Sequence, residues 1–289
     1  MNNTTIDTLR SLTPSEFPPL LREIPGQPKQ LTYRGELPSY DLHWLAVVGS
    51  RALTTYGRQV VHHLIEGLRG YPIVIVSGLA YGADAEAHKA AISAGLPTVA
   101  VPGSGLDWSV LYPRANVALA KEILNAGGAL LSEFKPDMKA TDYTFPQRNR
   151  IMAGLCQATL IIEAKEKSGS LITARLAADY NRDVLVVPGQ IFSAESKGTH
   201  QFLRLGAIAI TSPEDILMAL GITARDTTTT LRTDVSDEEM RVLTAIASPL
   251  SRDELLNELE MDVIEANTLL SLMEIKGLIV EELGTIRAR

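Results

Sequence analysis

The chain has 289 residues, 45% hydrophobic and 21% charged, the balance of a soluble protein with one large core and room for a small second unit. No run approaches the ~18 uninterrupted apolar residues of a membrane span, and MNNTTIDTLRSL at the start lacks the basic flank and apolar core of a signal peptide. Its one cysteine, Cys156, excludes an intrachain disulfide and fits a core position in a protein of the reducing cytoplasm.

The formal net charge of −7 is unevenly spread. Residues 1–43 hold 4 Lys/Arg against 5 Asp/Glu, residues 44–220 hold 16 against 15, and residues 221–289 hold 7 against 14. The acidity belongs to the end of the chain, so the middle is open to an anionic partner.

Residues 1–43 read as a lead-in, Pro-rich over 13–38, with LTYRG as a candidate edge strand. Apolar, β-branched segments then alternate with helical patterns. Strands are expected at 44–49, 73–78, 97–103, 128–133, 159–164, 183–189 and 207–211, and helices near 55–69, 83–94, 114–126, 147–157, 170–181 and 213–220. Nearly continuous hydrophobic strands separated by helices predict an α/β fold over 44–220, a doubly wound, mostly parallel, Rossmann-like sheet covered on both faces. Ligands of such sheets sit beyond the carboxyl ends of the strands, where VVGS, VSGLA, VPGSG and VPGQ all fall.

Residues 221–235, with four consecutive threonines, read as a linker. Residues 236–289 then show three helical segments, the first opened by Ser236 with Glu239 three residues on, followed by two short strands. Three helices and a wing predict a small winged-helix domain.

Four segments carry chemistry. In VVGSR, Gly49 lets a ligand approach the backbone, Ser50 offers a hydroxyl and Arg51 a fork suited to phosphate; the same residues also make an ordinary strand-to-helix turn. Ser77 and Gly78 are placed to form an anion-binding nest, with Asp84 capping the next helix and His88 one turn on; a structural role is expected over a catalytic Asp–His pair, since no serine or cysteine nucleophile is organised beside them. Ser168, Gly169 and Ser170 precede a helix that has Thr173 in its first turn, with Lys165 and Lys167 in the same loop. Such a helix start can hold phosphate or be a plain serine cap, and the two are compatible. The fourth segment is FPQRNRIMAGL (145–155), which sets Arg148, Asn149 and Arg150 at the expected mouth of an apolar helix. A cation is unfavourable at that positive end, so an external anion is the expected reason for it. Phe145 and Tyr143 add flat surfaces beside the arginines, and Lys139 lies in the preceding loop.

Several phosphate-favouring loops on one edge, with interleaved aromatics, suit a single-stranded nucleic acid better than a free nucleotide. No P-loop motif is present, VVGSRALTTYG matches a dinucleotide fingerprint poorly, and the five histidines are too scattered for a metal site. No cofactor, metal or catalytic residue is expected.

The blocks GSR, SGLAYGADAEAH, VPGSGLDWSVLYPRAN, LLSEF, FPQRNRIMAGL, EAKEKSGSLITA and VPGQ, in this order over about residues 30–215, resemble the DNA-processing protein A family (DprA, also called Smf). The resemblance implies a non-enzymatic protein of natural transformation and competence. Such a protein binds incoming single-stranded DNA, protects it and loads a RecA-type recombinase, usually as a homodimer. It also implies that Ser50, Arg51, Arg148, Asn149 and Arg150 contact DNA. Many members carry a helical domain ahead of the sheet, for which the lead-in here is too short. The rival expectation is a Rossmann-like nucleotide phosphoribohydrolase, whose PGGxGTxxE glutamate has no counterpart in PGSGLD or KSGSLITA.

Overall fold

The computed structural model describes residues 8–223, 236–246, 250–259, 261–276, 278–282 and 285–288. They fall into two compact units, 1–224 and 225–289.

The first unit is built on nine strands: β1 (Arg10–Leu12), β2 (Leu31–Gly35), β3 (His43–Val48), β4 (Ile73–Ser77), β5 (Thr98–Ala100), β6 (Ala129–Ser132), β7 (Ala158–Ile161), β8 (Asp183–Val186) and β9 (Ile208–Ala209). Their order across the sheet is β1-β2-β6-β5-β4-β3-β7-β8-β9. From β6 to β9 every neighbouring pair is parallel, while β2 runs antiparallel to both β1 and β6. Seven helices of this unit matter here: α1 (Thr55–Glu66), α2 (Ala83–Ser93), α3 (Val117–Asn125), α4 (Thr144–Leu155), α5 (Ser170–Asp179), α6 (Lys197–Arg204) and α7 (Pro213–Ala219).

Side chains alternate between two cores with the period of the strands. Ala46, Val48, Val74 and Val76 pack with α4 and α5 on one face, and Leu45, Val47, Ile73 and Ile75 pack with α1, α2 and α7 on the other. Both faces are covered, which explains why these strands read as unbroken hydrophobic runs. α3 closes a third cluster with Leu79, Leu106 and Leu130. His62 is half-buried and bridges Glu66 and, at 3.1 Å, Glu86.

The segment expected as a lead-in belongs to the sheet domain. Phe17, Leu21, Ile24 and Leu31 are buried in the same cluster as Ile151 and Leu155 of α4, each removing apolar surface worth ~1.5–3 kcal/mol. β2 is an inner strand, and β1, which the sequence pattern did not announce, forms the edge. α6 was also unannounced; its sequence KGTHQFLR offers only Phe202 as a fully buried large side chain.

The second unit contains α8 (Asp237–Ala245), β10 (Leu250–Ser251), α9 (Arg252–Leu259), α10 (Val263–Ile275), β11 (Ile279–Glu282) and β12 (Thr285–Ala288). The strands form an antiparallel sheet in the order β10-β12-β11. Its own core holds Val242, Leu255, Leu270, Met273 and Ile286. Ser236 and Glu239 form the expected capping box at the start of α8. The expected linker lies mostly outside the described residues.

Candidate functional site

The strand order reverses between β3 and β7: successive parallel strands are laid down outward from β3 on one side and from β7 on the other. The loops leaving those two strands diverge to opposite faces, which opens a crevice at their carboxyl ends. A cleft of about 600 Å³ lies there. Gly49, Ser50 and Arg51 from the β3 loop form one part of its wall, and Lys165, Lys167, Ser168, Gly169 and Ser170 from the β7 loop form another. Phe145, Arg148, Asn149 and Met152 of α4, Thr173 of α5, and Ala80 and Asp84 also line it.

Local contacts hold this geometry. Ser170 donates to the Gly49 carbonyl at 2.6 Å, tying the two loops together, and Ser168 accepts from the Ser170 N–H at 3.3 Å. Gly82 has φ +70, and a Cβ there would strike the Ser50 carbonyl. Only glycine keeps that backbone conformation without strain, and it brings the Ala83 N–H to 3.1 Å from the Ser50 oxygen. Below the cleft, buried Glu163 accepts from the Thr54 N–H and hydroxyl at 3.0 and 2.5 Å, fixing the start of α1.

Arg51 is exposed, with its guanidinium carbon 5.1 Å from the centroid of the Phe145 ring. No described carboxylate pairs with it, so its fork stays free while the ring keeps it in place. Phe145 lies across Gly103, where a side chain would collide with it, and its ring stands 5.8 Å from that of Tyr112. Lys167 is exposed and also lacks a described carboxylate partner, whereas Lys165 pairs with Glu195 at 3.1 Å.

Arg148 differs from the expectation. α4 begins at Thr144, three residues earlier than the pattern indicated, so Arg148 and Arg150 stand inside the helix and not at its mouth. The earlier start follows from Thr144, which folds back to Thr141 through a hydroxyl that donates to its carbonyl at 2.8 Å and accepts its N–H at 3.0 Å. Arg148 is only 5% exposed and donates to the Val101 carbonyl and to Met152 Sδ. Burial lowers its pKa to about 10, with Asp84 opposing and Arg51 adding to the shift. It therefore remains a cation at neutral pH, forming part of the cleft lining. Asp84 is raised by the same burial, against the pull of Arg148 and of the N–H groups of Ala80 and Gly78.

Four expected site residues stand apart from the cleft. The Ser77–Gly78 nest is already filled: Ser77 is buried and donates to the Val47 carbonyl at 2.6 Å, and the Gly78 N–H donates to Asp84 at 3.1 Å. Asp84 is thus a loop anchor, while Gly82 holds the cap position of α2. Arg150 pairs with Glu133 and does not line the cleft. Lys139 is exposed in the loop before α4 and also lies outside the lining. His88 is fully buried, with Nδ1 2.7 Å from the Thr98 hydroxyl, and burial followed by the charge of Arg148 lowers its pKa to about 3. Cys156 is buried, which pushes its thiol well up. Among the described residues no cluster could hold a metal ion, and no helix is long and apolar enough to cross a membrane.

The sequence reading missed the packing of Asp84 against the cleft and the support from Glu163. Both depend on partners distant in sequence, and their only local signal is an acidic residue at a strand end or a helix start.

Comparison with known proteins fits this geometry. A family model described as DNA recombination-mediator protein A matches residues 8–221. Protein Smf of Escherichia coli K12 is 44% identical over 204 residues, covering 70% of this chain and 54% of the relative, so the match spans about half of that protein. DNA processing protein DprA of Streptococcus pneumoniae R6 is 44% identical over 201 residues, 70% of each chain. The crystal structure of DprA from S. pneumoniae superposes with a TM-score of 0.67 at 40% identity, covering 74% of this chain and 75% of that one. DNA processing protein A from Helicobacter pylori, whose structure describes a single-stranded DNA binding mode, gives a TM-score of 0.65 at 30% identity, covering 75% of this chain and 97% of that one. A β-sheet domain matched along nearly its whole length, with relatives of this similarity, places the chain in the DNA recombination-mediator protein A family.

Proposed function

We propose that this protein binds single-stranded DNA in the cleft beyond β3 and β7 and acts as a recombination mediator, without catalysing a reaction. The observation that carries the reading is the pairing of a free cation with an aromatic face: Arg51 stands over Phe145 with no described carboxylate beside it. Phosphate contacts supply affinity and an aromatic face takes an unpaired base. Ser168, Gly169 and Ser170 at the start of α5 line the same cleft, and Lys167 and buried Arg148 add charge. The single-stranded DNA binding described for the H. pylori relative supports the same substrate. Protection of incoming DNA in natural transformation, delivery to a RecA-type recombinase and action as a homodimer follow as parts of this proposal from family membership.

A phosphoribohydrolase is less well supported. The carboxylates near the cleft are engaged: Asp84 accepts from Gly78 and Ala80, and Glu163 from Thr54. Neither is placed as a free acid or base.

The test is fluorescence anisotropy with labelled single- and double-stranded oligonucleotides over a salt series. Tighter single-strand binding that weakens linearly in log–log salt coordinates is expected. Equal affinity for duplex, or no salt dependence, would overturn the proposal.

A further inference from the structure

We infer that Tyr112 is a second base-stacking residue, which receives the nucleotide leaving the cleft across Phe145; this rests on the single-strand reading of the cleft. Tyr112 lies 33 residues before Phe145 and outside the cleft lining, yet their ring centroids are 5.8 Å apart with planes inclined at 57°. Tyr112 is 41% exposed, so the ring packs against its neighbour while still presenting surface to solvent.

The turn that follows Tyr112 is anchored to the cleft rim. Asn116 donates through its side-chain amide to the carbonyls of Leu79 and Ala80 at 2.8 and 3.1 Å, and Ala80 belongs to the cleft wall. Arg114 donates to the Trp108 carbonyl and braces the other side of the same turn. An aromatic held this way is preorganised, so little conformational freedom is lost when a base stacks on it. Arg51, Phe145 and Tyr112 then form one continuous series, a phosphate fork followed by two π faces.

The tilt selects the ligand class. Two bases lying on planes 57° apart cannot remain stacked on each other. A duplex keeps its bases stacked and turned inward, whereas a single strand can splay one base onto each ring.

The experiment uses the full chain and fluorescein-labelled oligothymidylates of increasing length. Tyr112→Leu keeps apolar bulk but removes the π face, Tyr112→Phe removes only the hydroxyl, and Tyr112→Trp enlarges the face. Tyr112→Leu is expected to weaken long oligomers about tenfold and to leave the shortest bound species unchanged. Tyr112→Phe should bind like the native protein, and Tyr112→Trp at least as tightly. If Leu and Trp variants both bind every length like the native protein while Arg51→Ala and Phe145→Ala weaken binding, this inference is overturned and the cleft reading stands. If Arg51→Ala and Phe145→Ala are also silent, the cleft reading fails and takes this inference with it.

Discussion

Glu163 and Thr54 are 109 residues apart in sequence, yet one carboxylate takes both the N–H and the hydroxyl of Thr54. The two residues lie in the segments that follow β7 and β3, so this contact ties together the loops on either side of the strand-order reversal. The width of the cleft therefore rests on a buried, charge-assisted pair of hydrogen bonds. Glu163→Ala is expected to lower stability by roughly 2–3 kcal/mol and to weaken oligonucleotide binding as the loops relax. Urea denaturation beside a binding isotherm checks both; unchanged stability would remove Glu163 from this role.

The arginines should separate by environment. Arg51→Ala should leave the melting curve nearly unchanged and reduce the salt slope of single-strand binding by ~0.7, one phosphate contact. Arg148→Ala strips the Val101 carbonyl of its donor and leaves Asp84 without its cation, at a cost of ~3–5 kcal/mol in stability. Arg150→Ala, which frees Glu133, should change the salt slope less than Arg51→Ala does. Equal slopes for the Arg51 and Arg150 variants would contradict the placement of Arg150 outside the cleft.

Phe145→Ala removes the ring shared by Arg51, Tyr112 and Gly103. A stacked base would lose ~1–3 kcal/mol of binding. The ring is half-buried, so its truncation should cost less stability than the ~3–5 kcal/mol of a full core phenylalanine. Melting and binding measured on the same sample distinguish these effects.

His88 makes the fold acid-sensitive. Its pKa is about 3 in the folded chain against an ordinary 6.5, so between those values the unfolded chain binds a proton that the native state excludes. Stability is therefore lost as pH falls from 6.5 toward 3, by ~4–5 kcal/mol over the full interval. Asp84, raised by burial, titrates in the opposite sense and offsets part of the loss at the acid end. His88→Asn should flatten the dependence of the urea midpoint on pH between 7 and 5. A variant that keeps the native slope would assign the acid sensitivity to other groups.

The carboxyl-terminal unit is expected to contribute little to DNA affinity. Residues 221–289 carry 7 Lys/Arg against 14 Asp/Glu. Lys276 and Arg252 are paired with Glu239 and Glu281 at 2.7 and 3.2 Å, and Arg241 donates to the Leu259 carbonyl. A polyanion would meet net repulsion there, and we propose that this unit serves protein interaction or regulation. A chain ending at residue 224 should retain most single-strand affinity. Micromolar duplex binding by residues 230–289 in ~150 mM salt would refute the charge argument.

The sequence alone determined the alternation of strand and helix, the parallel sense of the central sheet and the edge on which the cleft opens. Those features are local: hydrophobic runs such as IVIVS and small residues at strand ends are written into neighbouring positions. Gly49, Ser50, Arg51 and the Ser168–Ser170 turn were legible for the same reason, since each is a strand end leading toward a helix. Tertiary structure alone decided which charges remain free. Arg148 and Arg150 look alike in FPQRNR, but a helix start shifted by three residues and the distant partners Val101 and Glu133 hold one inside the protein against a backbone carbonyl and pair the other with a carboxylate. The same holds for Ser77–Gly78, filled by Asp84, and for the Pro-rich amino-terminal segment, whose Phe17 and Leu21 are drawn into the core under α4. A side chain's charge is fixed by its type; whether that charge faces a ligand depends on partners that only the folded chain brings within reach.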